Sequence, residues 1–182
     1  MELCAIIDMD GYRVNKTFRV KELAIIDAAT EQTRSFHFWH GGLLNDQDRR
    51  TVRYVEKNIF NIPYDAYWPG VLRPAALDEI LQQLVQNIDH PVIGYKGGHV
   101  EKDLLWNLDI PSFNLEYIGC PSMKVLDPIG ADCGKHPSST LHCPVQEIRA
   151  YHRFVAPTLN FKASNLHNIN VDHHRILEEA WD

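Results

Sequence analysis

No stretch of this 182-residue chain approaches the 18 or so consecutive apolar residues that a membrane-spanning helix needs, so no bilayer segment is expected. The opening M-E-L-C-A-I-I-D is too short and too acidic for a secretory leader. An excess of basic charge is also missing. Lys and Arg number 18 against 24 Asp and Glu, a net charge of −6. That balance argues against gripping duplex DNA by bulk charge, but leaves room for a local basic groove or a single-strand site built on stacking. Cysteine is sparse, with four in the chain. Two of them sit close to histidines and read as thiols or metal ligands in a reducing, intracellular compartment, nuclear or cytoplasmic, rather than as a disulfide framework. Cys4 lies in an apolar run and reads as core. Internal repeats, low-complexity segments and a domain boundary are all lacking, and the length suits one well-buried core.

What is present is an α/β pattern. Residues 3–9 are a continuous apolar run, the signature of a strand buried on both faces. Residues 17–29 and 33–39 read as two further strands, completing a three-stranded antiparallel meander. Asn45 or Asp46 offers a cap for a helix carried by Val52, Val55 and Ile59. Residues 61–74, with three prolines, are a loop. Residues 75–88 form an amphipathic helix with Leu77, Ile80, Leu81, Leu84 and Ile88 on one side. A short strand at 91–95, a helix at 99–108, a strand at 113–118, an irregular stretch at 119–143 and a helix at 144–155 follow. The expected organisation is one domain, 1–157, with a polar tail, 158–182, packed on it or trailing from it.

Acidic residues and histidines fall at the ends of these elements. Asp8 and Asp10 close the first strand in D-M-D. Glu101 enters a helix after K-G-G. His142 and Glu147 stand five apart in H-C-P-V-Q-E. Carboxylates at such places suit Mg²⁺, which takes hard oxygen ligands. A D-x-D on one strand puts both side chains on one face. A two-metal nuclease holds two such ions about 4 Å apart against the attacking and leaving oxygens of a phosphodiester. A histidine with an ordinary pKa near 6.5 suits the general base. Threaded through this set is C-G-K-H-P-S-S-T-L-H-C. Its Cys133, His136 and Cys143 suit zinc, with Gly134 allowing a tight turn. The fourth zinc ligand is open among Glu101, His142, Cys120 and Glu116.

Strand–strand–strand–helix–strand–helix–strand–helix is the order of the ribonuclease-H-like fold. Over residues 3–155 the chain resembles the DEDDh family of 3′–5′ exonucleases, whose motifs are a D-x-E on the first strand, an acid with a leucine four positions on, and a histidine with an acid five positions later. Asp8 and Asp10, Glu101 with Leu105, and His142 with Glu147 occupy those places. The resemblance implies a mixed sheet flanked by helices and Mg²⁺- or Mn²⁺-dependent 3′–5′ exonuclease activity, with Asp8, Asp10, Glu101 and Glu147 on the metals and His142 as base. Where the family reads Asp, Glu, Asp, Asp, this chain reads Asp, Asp, Glu, Glu. Charge is kept and reach is changed at three of four positions.

A Glu-Cys-His-Cys zinc set on this fold resembles the Maelstrom domain, which acts in germline small-RNA silencing of transposons. In that likeness Glu101 is the best candidate for the glutamate. The two resemblances then compete for one side chain, because Glu101 on zinc is lost to Mg²⁺. The acid swaps and the zinc set tip the expectation towards a zinc-stabilised, Maelstrom-like domain binding single-stranded nucleic acid, RNA foremost and DNA second, in RNA processing or transposon silencing. An active exonuclease is the alternative, and a protein-interaction module that kept only the fold is a third. Simpler roles stand beside these. Asp8 and Asp10 can end a strand, Cys120 can be a buried thiol, and His173-His174 can be surface. Lys96 can be a turn lysine, and R-S-F-H-F-W-H can be an ordinary strand rather than a base-stacking platform.

Overall fold

The computed structural model describes residues 1–60, 62–136 and 143–176. Its centre is a five-stranded mixed sheet. The long hairpin β2 (Ala5–Val14) and β3 (Thr17–Asp27) pairs antiparallel, β4 (Thr33–His37) adds antiparallel to β3, and β5 (Ile93–Tyr95) and β6 (Ser112–Asn114) continue in parallel beyond β2. A minimal strand β1 (Glu2–Leu3) precedes them and pairs with β7 (Asn160–Phe161). The helices are α1 (Asp46–Val55), α2 (Ala76–Val85), α3 (His99–Asn107) and α4 (Pro144–Val155). Among the described residues no helix is long and apolar enough to cross a membrane.

The pleat explains the layers. Ile7, Met9, Leu23 and Ile25 face one side, where Ile80, Leu81 and Leu84 of α2 and Leu105 of α3 pack on them. Ile6, Ala24 and Ile26 face the other, against Val145, Ile148, Tyr151 and Val155 of α4. Successive residues of a strand alternate between faces, so Asp8 and Asp10 follow Ile6 onto the α4 side. Local signals set the helix ends. Asn45 Oδ1 accepts the Asp48 amide at 2.7 Å to cap α1. Pro144 begins α4, where its missing N–H costs nothing.

One expectation needed correction. The strand expected over 113–118 ends at Asn114, because the Asn114 side chain accepts the amides of Gly97 and Glu116 and turns 115–118 into a 3₁₀ turn. Of the two arrangements expected of the polar tail, its described residues adopt the packed one. Leu166, Ile169 and Val171 are buried in the main core, the Asn165 side chain bonds the Gln83 and Gln86 carbonyls at the end of α2, and Arg34 Nη1 holds the Leu166 and Ile169 carbonyls. Asp27 locks the tail to β3 by accepting the Ser164 amide at 2.8 Å and its hydroxyl at 2.5 Å, together with the amides of Ala29 and Thr30. Burial works against the Asp27 charge, but those donors outweigh it and hold its carboxyl below the usual range. A depressed folded value means stability that is present above the ordinary Asp pKa and is lost as pH falls through the folded one. Asp27→Ala is therefore expected to cost about 2–4 kcal/mol at neutral pH, with a smaller penalty in acid, measured by urea melts across pH.

One irregularity positions the site. Asp10 pairs with Glu22, but Gly11 pairs with Val20, so Lys21 is an extra residue bulged out of β3. A Cβ at Gly11 would lie 2.1 Å from the Arg19 carbonyl oxygen. Gly11→Ala is expected to force this register apart and to lower Tm by roughly 5–10 °C, read by calorimetry.

Candidate active site and metal centre

Four carboxylates converge where β2, α3 and α4 meet. Asp8 and Asp10 come from β2. Glu101 sits in the first turn of α3, on the same face as Leu105, and is 6 % exposed. The backbone reverses into α3 through Gly97 and Gly98, both at positive φ, and a side chain at Gly98 would meet Glu101 Oε2 at 3.2 Å. Glu101 Oε1 accepts the Met9 amide at 3.3 Å, between the two aspartates and past the point where β5 stops pairing with β2. Glu147 sits in the first turn of α4, 8 % exposed, and shares a hydrogen bond with Asp8.

The electrostatics follow from this crowding. Burial, then the Glu147 charge and its hydrogen bond, then Asp10 and Glu101, push the Asp8 carboxyl well above its usual range. Burial, followed by Glu147, Glu22 and Glu101, does the same to Asp10. Burial raises Glu101 too, against its two backbone hydrogen bonds. Asp8 Oδ2 and Asp10 Oδ2 are shut off from solvent with no hydrogen-bond partner among the described residues. Buried carboxylate oxygens left in this state cost free energy unless protonated or matched by a cation. An all-oxygen donor set of this kind fits Mg²⁺ or Mn²⁺.

The second set lies directly beside the first. Glu22, Cys133, His136 and Cys143 bring one ligand atom each to within 4.8 Å of one another. Cys143 is the residue just before α4, so one helix start delivers a thiol to this group and Glu147 to the other. Glu22 is fully buried. Its Oε1 meets His37 Nε2 at 3.0 Å, its Oε2 lies 3.7 Å from His136 Nε2, and the Cys133 amide points at Cys143 Sγ at 3.2 Å. The Cys133 thiol hydrogen bond lowers the Cys143 pKa to about 5, helped by His136 and opposed by burial, while Cys133 is pushed up by the same bond. A buried Glu-Cys-His-Cys set with one thiolate already favoured fits tetrahedral zinc.

Glu101 is thus not in the Cys/His group, as had been expected of it, and Glu22 takes that place. Glu101 is carried by α3, and its carboxylate accepts the Met9 amide beside the aspartates. Cys120 is buried in the α4-side core, its thiol raised by burial to about 11, and Glu116 is ion-paired with Lys96 at 3.3 Å. His142 lies outside the described residues. Phe36 and Phe38 are core residues rather than a stacking platform, and Cys4 is a buried thiol. A further group, Glu79, His173 and His174, gathers on the surface, with both imidazoles within 3.0 Å of one Glu79 oxygen. Glu22 had a sequence signal that was not used. It and Lys21 are adjacent charges inside V-K-E-L-A-I-I, and charges in a strand buried on both faces require partners.

No family model and no curated protein matches this chain. Among solved structures it is similar to the exonuclease domain of Mopeia virus. The form partially complexed with manganese superposes with a TM-score of 0.58 at 14% identity, over 89% of this chain and 82% of that one. The form fully depleted of manganese gives 0.57 at 13% identity, over 95% and 85%. At such identities the likeness establishes the fold, which is ribonuclease-H-like.

Proposed function

We propose that this protein is a divalent-metal-dependent nuclease acting on single-stranded nucleic acid, with a structural zinc beside the reaction centre. The observation that carries the reading is the convergence of Asp8, Asp10, Glu101 and Glu147, with two buried oxygens lacking hydrogen-bond partners among the described residues, in a place that the zinc set does not share. With Glu22 on zinc, both sites coexist and Glu101 is available to the carboxylates. The viral exonuclease domains of the same fold, one of them carrying manganese, agree with this reading.

The roles follow from placement. Asp8, Asp10, Glu101 and Glu147 would hold Mg²⁺ or Mn²⁺. Two such ions, when bound, stabilise the attacking and leaving oxygens of phosphodiester hydrolysis. Glu101 fixes its own orientation through the Met9 amide. His142, five residues before Glu147, is the residue assigned to take the proton of the attacking water. Zinc on Glu22, Cys133, His136 and Cys143 would tie the 133–143 segment to β3 and hold the start of α4.

A second reading is a Maelstrom-like domain that binds single-stranded RNA without cutting it. It is favoured by the Glu-Cys-His-Cys make-up of the zinc group and by the altered reach of three acids. One experiment separates the two. Zinc-loaded protein is incubated with end-labelled single-stranded RNA and DNA in Mn²⁺ or Mg²⁺. A ladder receding from the 3′ end supports the exonuclease. Intact strands that are nevertheless retained by folded protein support the binding domain.

A further inference from the structure

The zinc group faces a cavity on its far side from the carboxylates. Its volume is about 280 Å³, at the low end of small-ligand sites. Arg34, Lys135 and Arg175 line it around Trp68, and among the described residues no acidic side chain does, in a chain of net charge −6. Lys135 Nζ stands 4.9 Å from the Trp68 ring centroid, and the buried Lys21 lies 5.8 Å from that ring. Arg34 and Arg175 are braced rather than loose. Arg34 rests 4.8 Å from the Phe36 ring and bonds the Leu166 and Ile169 carbonyls, while Arg175 bonds Asp172 at 2.8 Å and the Gly70 carbonyl at 3.0 Å. Trp68 is half-buried and held edge-on against His37, whose partner is Glu22.

We propose that this cavity is a nucleotide subsite for a single strand, with Trp68 stacking a base and Lys135, Arg34 and Arg175 taking its phosphate. The inference rests on the nuclease reading for what the strand is doing there. Asp10, Glu22 and His37 stand side by side on three adjacent strands. At about 4.8 Å per strand, the cavity wall at His37 is roughly 10 Å from Asp10. A strand anchored at Trp68 can therefore present a neighbouring phosphodiester to the carboxylates. Base–aromatic stacking and a few cations are enough for single-strand affinity, which explains how an acidic protein could bind nucleic acid. Lys135 lies between the ligands Cys133 and His136, so the zinc loop itself carries one of the cations.

The test uses zinc-loaded full chain without Mg²⁺ or Mn²⁺ and short labelled oligouridine and oligothymidine. Binding is followed by anisotropy and by tryptophan fluorescence over a salt series. Trp68→Ala is expected to weaken binding about tenfold, and Trp68→Phe to keep most affinity while losing the fluorescence change. Lys135→Ala, an exposed change that leaves the core alone, is expected to reduce the log–log salt slope by about one. Trp68-dependent binding, with no hydrolysis once Mn²⁺ or Mg²⁺ is added, would overturn the nuclease reading and leave the subsite standing. Hydrolysis of strands with binding untouched by Trp68→Ala and Lys135→Ala would overturn the subsite alone, as would the absence of strand binding by wild type.

Discussion

Glu101→Gln is expected to retain one zinc per chain, whereas Cys143→Ala or Glu22→Ala is expected to lose it. Native mass spectrometry gives the count, best made in a His174→Ala background so that the Glu79, His173 and His174 group adds nothing to it. The proposed zinc ligands come from β3 and from a segment more than a hundred residues later. A structural zinc contributes to folding outright. Loss of the metal is expected to cost about 4 kcal/mol and to lower Tm by roughly 10 °C. Zinc lost in Glu101→Gln and kept in Glu22→Ala would return Glu101 to the zinc set and dismantle the two-metal site.

The second large effect concerns Asp8→Asn, expected to reduce metal-dependent strand hydrolysis at least about 1,000-fold while stabilising the protein when no Mg²⁺ or Mn²⁺ is present. Both follow from one cause. Asp8, Asp10 and Glu101 are all raised, by burial first and by one another's charge after it. A raised folded value gives stability that is fully present below the unfolded pKa and is lost as pH rises through the folded one. As pH rises above the ordinary carboxylate range, magnesium-free, zinc-loaded wild type should therefore lose Tm, and millimolar Mn²⁺ should restore it. Asp8→Asn removes one charge from the group, so its decline should be shallower and its gain from Mn²⁺ smaller. Its Tm without divalent ion should exceed wild type by about 3–6 °C. An identical pH slope in the two proteins would mean that the acids are not mutually destabilising.

The fold was legible because its signals are local and strong. The 3–9 apolar run, the Asn45 cap and the Leu77–Ile80–Leu81–Leu84 stripe each name one element. The carboxylate set was legible because Asp8 and Asp10 alternate onto one face of a strand and Glu101 and Glu147 sit in the first turns of helices, and β2, α3 and α4 bring them together. The zinc set was legible only in its sequence-local part, Cys133, His136 and Cys143. Glu22 was hidden because its link to them is made by the register of β3 against β2, and that register depends on the bulge at Lys21. No spacing rule reports a one-residue bulge between distant partners. Which of its two expected arrangements the tail would adopt was hidden for a related reason. Its polar composition conceals three apolar residues, Leu166, Ile169 and Val171, whose burial depends on the end of α2 and on Arg34 rather than on any periodicity of their own.

That buried tail bears on how the protein is made. While the chain leaves the ribosome, β2, β3 and β4 emerge first, with Ile7, Leu23, Ile25 and Phe36 awaiting cover that Leu166, Ile169 and Val171 supply last. At about 5–20 residues per second, the interval is on the order of ten seconds. A nascent chain in that interval holds an apolar sheet face that α2 and α3 cover only in part, so it is then that the protein most needs a chaperone.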